Sequence, residues 1–228
     1  MGSPARERPD AYNRRRTRVL KIHHLVLSRS ERIVWLAEEL GIEYEAVRHL
    51  RDPQTFRAPD SLRAVTPLAK APVIEDDGIV VEESSVICDY ILDRHGNGRL
   101  RPAAGTAARR QYDYWMACAE STLMYPVLID LLSVLTQSDA PGLNAFAAGE
   151  YEAMFTHVER TLASSDYLVG SDFSAADVMV YYTLAMAAGT AIPFPTHAPM
   201  DRYPLIRAYL ARLEQRPAWQ RATEVCKA

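Results

Sequence analysis

From Ala71 to Ile91 the chain reads APVIEDDGIVVEESSVICDYI, and this stretch limits the possible folds more than any other. Two short β-rich runs, Val73 to Glu75 and Ile79 to Val81, flank Asp77-Gly78, a dipeptide suited to the left-handed dihedrals of a two-residue hairpin turn. From Ser84 to Arg94 the apolar residues Val86, Ile87, Tyr90 and Ile91 switch to helical spacing, ending at Gly96. A hairpin that runs straight into a helix is a ββα unit.

The segment before it supplies the complement. VLKIHHL, Val19 to Leu25, is β-branched and apolar, which predicts a buried strand. Ile33, Leu36, Ala37 and Leu40 then recur at helical spacing, with Gly41 placed for a left-handed C-cap. Ser28 or Ser30 is the expected N-cap, and Ser28 with Glu31 matches the S-x-x-E capping box. Tyr44 to His49 alternates like a second strand, so the order is βαβ followed by ββα. After residues 97 to 105 strand signals stop. A long helix is predicted from about Ala107 into Leu128 to Leu135, bent at Pro126. Others cover about Phe146 to Ala163, the apolar run after Ser174, Leu205 to Gln215 and Ala218 to Lys227. The predicted division is an extension over 1–17, an α/β unit over 18–97 and an all-α unit over 105–228.

Charge and cysteines exclude several classes. Whole-chain net charge is −3, and the first eighteen residues hold six Arg against Glu7 and Asp10, a local +4 that leaves −7 on the body. Such a body repels a phosphate backbone, so nucleic acid is not an expected partner and the arm reads as a solvated extension. Cys88, Cys118 and Cys226 are odd in number and lie in no CxxC or metal spacing, which points to a reduced, cytoplasmic protein without a metal. The longest uncharged stretch, Val178 to Met200, is interrupted by Gly189, Pro193, Pro195 and Pro199, so no membrane span is expected there.

Taken together, SRSERIVWLAEELGI, PLAKAPVIEDDGIVVEESSVICDYI and FSAADVMV, in that order, resemble the active-site turn and helix, the glutathione-binding block and the helical-domain capping box of the cytosolic glutathione transferases. The resemblance covers about Val19 to Trp219. It implies a thioredoxin-like N-terminal domain, an all-helical C-terminal domain, glutathione as co-substrate and a homodimer. It also implies that Pro72 is cis, that the Val73 backbone pairs with the cysteinyl unit, and that Glu83 and Ser84 hold the γ-Glu ammonium and carboxylate. Lys70 stands where the family often has a residue for the glycyl carboxylate, and His49 is a further candidate contact.

The chemistry asks for a thiolate at neutral pH, whereas a thiol of pKa about 8.5 is only a few per cent ionised at pH 7. A hydroxyl hydrogen bond to charged sulfur contributes roughly 1.5–3 kcal/mol and a helix N-terminus roughly 0.3–1, together about one to three pKa units. Ser28, four before Arg32, resembles the family's Ser-type turn, with Ser30 as runner-up. No Tyr lies between Thr17 and Trp35 and no Cys precedes Cys88, which disfavours the Tyr and Cys types. Tyr112, Trp115, Met116 and Ala119 share a helical face that is either the electrophile wall or a plain core stripe. The resulting expectation is a detoxifying transferase that attacks a small hydrophobic electrophile by conjugation, dehalogenation or hydroperoxide reduction. The alternative is a catalytically silent binding module on the same fold. His23 and His24 read as structural strand residues, and Cys118 as a small buried hydrophobe.

Overall fold

The computed structural model describes residues 19–227; the Arg-rich extension read over 1–17 lies outside them. Strand β1 (Leu20–Leu25) is almost wholly buried because it is central, paired parallel with β2 (Tyr44–His49) and antiparallel with β3 (Val73–Asp76). β3 returns through Asp77 (φ 51°) and Gly78 (φ 83°) into β4 (Ile79–Glu82), giving the sheet order β2-β1-β3-β4. The primed turn expected from Asp-Gly is the one formed. Alternation splits β3 between two layers. Ile74 joins the main core with α1 (Glu31–Leu40) and α3 (Ser84–His95), while Val73 packs on the other face with Leu25, Leu62 and Ala71 beneath the short α2 (Asp60–Arg63).

The helical half comprises α4 (Ala107–Glu120), α5 (Met124–Thr136), α6 (Pro141–Leu162), α7 (Ala175–Ala187), α8 (Pro204–Glu214) and α9 (Pro217–Lys227). Every residue of α7 is buried, as its nearly unbroken apolar run requires. Its start is fixed by Asp177, whose carboxylate accepts from the Ser174 amide (2.8 Å), the Leu168 amide (3.0 Å) and the Tyr209 hydroxyl (2.8 Å). Four buried donors, counting the Ser174 hydroxyl at 3.0 Å, meet on one side chain.

Two local expectations are corrected. The long helix does not bend at Pro126 but breaks at Ser121–Leu123, with Pro126 inside the first turn of α5. Proline lacks an N–H and crowds the carbonyl four residues back, so the ladder ends before it. The Ser28–Glu31 capping box does not form, since Glu31 N–H meets the Ser28 carbonyl (3.3 Å) and Ser30 takes the N-cap position. The end of α3 at Gly96 is as expected; its φ is right-handed (−72°), and a Cβ there would stand 2.4 Å from the Leu92 oxygen. Gly41, by contrast, adopts the left-handed cap (φ 62°).

Over Ala107–Thr136 the sequence is apolar enough, by length and composition, to cross a membrane. In the fold it is broken, and its buried residues pack against α6 and α7.

Asp177→Ala leaves the Leu168 and Ser174 amides and the Tyr209 hydroxyl unpaired in the interior, at about 1–3 kcal/mol each. Chemical denaturation is expected to show a loss of about 3 kcal/mol or more, with Asp177→Asn intermediate.

Candidate active site at the β1–α1 turn

Between β1 and α1 the chain makes a turn that its own side chains and those of three other segments hold in place. Leu27 has a positive φ (57°), unfavourable for a side-chain residue, and Arg51 pins it. The guanidinium donates to the carbonyls of Val26, Leu27 and Phe56, each at 2.9 Å, and its centre lies 4.4 Å from the Phe56 ring centroid. Burial lowers the Arg51 pKa from its ordinary value, but a guanidinium stays charged at neutral pH. Nothing in the sequence marked Arg51. It begins a loop, and its partners are backbone oxygens, two of them more than twenty residues away.

The two candidate serines differ in what they can still do. Ser30 is fully buried and its hydroxyl is surrounded: His24 Nδ1 at 2.9 Å, the Leu25 amide at 3.2 Å and Ser28 Oγ at 2.7 Å. His24 Nε2 lies 3.2 Å from the Cys226 carbonyl, an acceptor only, so Nε2 carries the proton and Nδ1 accepts. Burial lowers the pKa of His24 and keeps it neutral. Ser30 therefore donates to His24 and accepts from Leu25 N–H and Ser28 O–H, which leaves it no spare proton. Ser28, 7% exposed, accepts from the Ser30 amide (3.2 Å) and can turn its O–H outward. It lines a cleft of about 580 Å³, which Ser30 does not.

That cleft runs between the two halves. One wall carries Ser28, Arg51, Lys70 and Ala71; the other carries Leu128, Leu131, Leu132 and Leu135 of α5. Ala71 leads into a cis peptide at Pro72 and then Val73. Val73 pairs across the hairpin with Glu82, so Glu83 and Ser84 stand beside this edge. Glu83 has φ 70° and an exposed side chain with no hydrogen-bond or ion-pair partner among the described residues; Ser84 is buried at the start of α3. Of the residues expected to hold glutathione, Lys70 lines the cleft with Ser28, while Pro72, Val73, Glu83 and Ser84 lie along the β3–β4 edge that continues from Ala71 and do not line it.

Two groups of candidates lie elsewhere. His49 is buried, bonded to Ser61 Oγ (2.9 Å) and His23 (3.0 Å), and His23 continues to Glu75 (2.8 Å). This chain ties three strands to α2, and His49 lines no part of the cleft. Burial and the neighbouring His23 lower its pKa. Tyr112, Trp115, Met116 and Ala119 are all buried and none lines the cleft, because that face of α4 packs on α7. The apolar wall is instead the Leu128, Leu131, Leu132, Leu135 stripe, whose i, i+3, i+4, i+7 spacing was legible in the sequence.

Residues 28–94 match the model "Glutathione S-transferase, N-terminal domain" and 106–212 match "Glutathione S-transferase, C-terminal domain". A solved glutathione S-transferase from Actinobacillus pleuropneumoniae is 31% identical with a TM-score of 0.81, covering 92% of this chain and 94% of its own. The chain belongs to the glutathione S-transferase family. Glutathione S-transferase 1 of Saccharomyces cerevisiae is 27% identical over 92% of this chain and 96% of its own length. A sphingomonad glutathione S-transferase solved with glutathione shares the fold at 23% identity and TM-score 0.73, covering 91% of this chain and 98% of its own. The chain is thus a transferase with the family's thioredoxin-like sheet and helical half. No group of three or more potential metal ligands occurs among the described residues.

Replacing Arg51 with Met keeps bulk but frees the Val26 and Leu27 carbonyls. Turnover with saturating glutathione is expected to fall by tenfold or more while denaturation shifts by no more than about 2 kcal/mol; equal turnover would show that the turn holds its shape without Arg51.

Proposed function

We propose that the chain binds glutathione in the 580 Å³ cleft and uses the Ser28 hydroxyl to hold its thiol as thiolate for attack on a small hydrophobic electrophile. The observation that carries this reading is the division of labour between the serines: Ser30, which lines no part of the cleft, gives its proton to His24, while Ser28 lines the cleft and can redirect toward sulfur the proton it gives to Ser30 Oγ (2.7 Å). Glu83 takes the γ-Glu ammonium, the amide and hydroxyl of Ser84 at the α3 N-terminus take its carboxylate, Lys70 takes the glycyl carboxylate, and Val73, after Pro72, pairs with the cysteinyl unit.

In conjugation the thiol proton passes to solvent as the thiolate forms. Sulfur then bonds to the electrophilic carbon and the leaving group departs with its electron pair. Dehalogenation follows the same course with halide as leaving group. In hydroperoxide reduction the thiolate attacks the terminal peroxide oxygen, the O–O bond breaks and the rest leaves as the alcohol with a proton from solvent; the glutathione sulfenic acid so formed reacts with a second glutathione to give the disulfide and water. The leucine stripe of α5 gives the electrophile an apolar wall, and positioning two reactants side by side supplies most of the rate. Exposed Tyr125 and Val134 of α5, with Leu143 and Phe146 of α6, suit a homodimer, and the unpaired cysteines suit the cytoplasm.

Calorimetry with glutathione and turnover of 1-chloro-2,4-dinitrobenzene test the reading. Wild type is expected to bind glutathione and form the conjugate. Ser28→Ala is expected to lose about ten- to a hundredfold in kcat with glutathione affinity within about threefold, since it removes the bond to charged sulfur and none of the groups that hold the two ends of glutathione. Absence of glutathione binding in wild type would replace this reading with a silent binding module on the same fold.

A further inference from the structure

After α7 the chain turns at Gly189 (φ 71°) into a loop without helix or strand that comes back to the fold at His197. Thr190 is tied to the end of α7, its amide and hydroxyl donating to the Ala185 carbonyl at 2.9 and 3.1 Å. From Ile192 to Thr196 no backbone amide makes a hydrogen bond within the described residues, and Pro193 and Pro195 have no N–H to offer. Yet Ile192 is only 8% exposed and lines the cleft with Tyr182 and Met186, facing the same space as the α5 leucines. The hold on this segment lies at its far end.

There His197 reaches Asp130 of α5. The Asp130 side chain is fully buried, and it accepts from the His197 amide (2.8 Å), from His197 Nδ1–H (2.6 Å) and from the Tyr151 hydroxyl (2.9 Å). A buried carboxylate must collect donors, and two of these three come from a single loop residue. Thr196 adds a bond from its hydroxyl to the Ala187 carbonyl at 2.7 Å. The His197 side chain is 44% exposed, so charge-assisted hydrogen bonds hold it in place, not burial. Helix α5 therefore carries the leucine wall of the cleft on one face and, on another, the anchor of the loop that bears Ile192.

We propose that His197 is a positioning residue that sets the width of the electrophile. By clasping Asp130 it holds Ile192 at a fixed separation from the α5 leucines, so that the cleft takes a slender, unbranched aliphatic substituent on sulfur and rejects a branched or multi-ring one. The inference rests on the reading that glutathione occupies the cleft. Selection of this kind works by clash: atoms wider than the slot must displace Ile192, and the clasp resists that displacement. Ser28 and Lys70 stand on the opposite wall, so neither thiolate formation nor the binding of glutathione itself depends on the clasp. His197 touches no reacting atom; it acts through Ile192.

The test is calorimetry of the full chain with glutathione, with S-hexylglutathione, whose substituent is slender, and with S-tritylglutathione, whose substituent is wide. Wild type is expected to bind the hexyl ligand at least about thirtyfold more tightly than the trityl one. His197→Ala is expected to shrink that ratio about tenfold or more while glutathione affinity stays within about threefold. His197→Asn, whose amide N–H can still donate to Asp130, is expected to keep the ratio within about threefold of wild type. Ile192→Ala removes the gate and leaves the clasp; it is expected to match His197→Ala, and the double variant to add no more than about twofold, since both act on one element. A ratio unmoved by His197→Ala or by Ile192→Ala, in a protein that binds glutathione, overturns the proposal alone. So does a loss in His197→Asn equal to that in His197→Ala, or an equal weakening of all three ligands, which would mark a general structural role. No glutathione binding by wild type removes the reading of the cleft and this proposal with it. Circular dichroism of each variant confirms the fold, and Ile192→Ala keeps the test decisive if His197→Ala unfolds.

Discussion

Arg32 is a charge placed where water does not reach, and the relation between the two halves follows from how that charge is satisfied. It leaves the first turn of α1, in the sheet half, and pairs with Glu120 at the end of α4 and with Thr183 in the middle of α7 at 2.7 Å. Thr183 in turn donates to the Ala119 carbonyl (3.1 Å), and Arg29 joins the same Glu120 carboxylate. An uncompensated buried guanidinium is expensive, so α1, α4 and α7 are constrained to meet at this point. Further along α1, Glu39 receives a two-point bond from Arg216 (2.6 and 2.9 Å) and Glu38 one from Arg221 (2.7 Å), which brings α9 against the same helix.

Because α1 is fixed, the turn that precedes it is fixed too. Arg51 grips its carbonyls from the β2 side, and His24, anchored on the Cys226 carbonyl of α9, takes up the Ser30 proton. The C-terminal helix thus reaches the active-site turn through one imidazole. In the proposed reaction the hydroxyl that turns to sulfur is that of Ser28, which lines the cleft and gives up one bond, to Ser30 Oγ, while Arg51, His24 and Ser30 stay committed around it.

Much of this was legible in the sequence, and the exceptions share a cause. Asp77-Gly78, Gly41 and Ser174 with Asp177 act locally, through dihedrals and near-neighbour hydrogen bonds, and each formed as its spacing predicts. The cis peptide at Pro72 followed from family resemblance and not from local chemistry. His49 lines no part of the cleft because it bonds to His23 across a parallel strand pair and to Ser61 beyond a loop, partners that leave no local pattern. Tyr112, Trp115, Met116 and Ala119 show that helical periodicity identifies a buried face without saying what covers it; α7 covers this one. Arg51 acts on backbone oxygens, which have no sequence signature at all.

The central claim is that Ser28 activates the thiol and Ser30 only orients it. It is tested most directly by the pH titration of thiolate absorbance for bound glutathione in wild type, Ser28→Ala and Ser30→Ala. The account predicts a bound thiol pKa below about 8.5 in wild type, a rise of about one to two units in Ser28→Ala, and a smaller rise in Ser30→Ala. A full rise in Ser30→Ala with none in Ser28→Ala would contradict it and transfer the catalytic role to the buried serine.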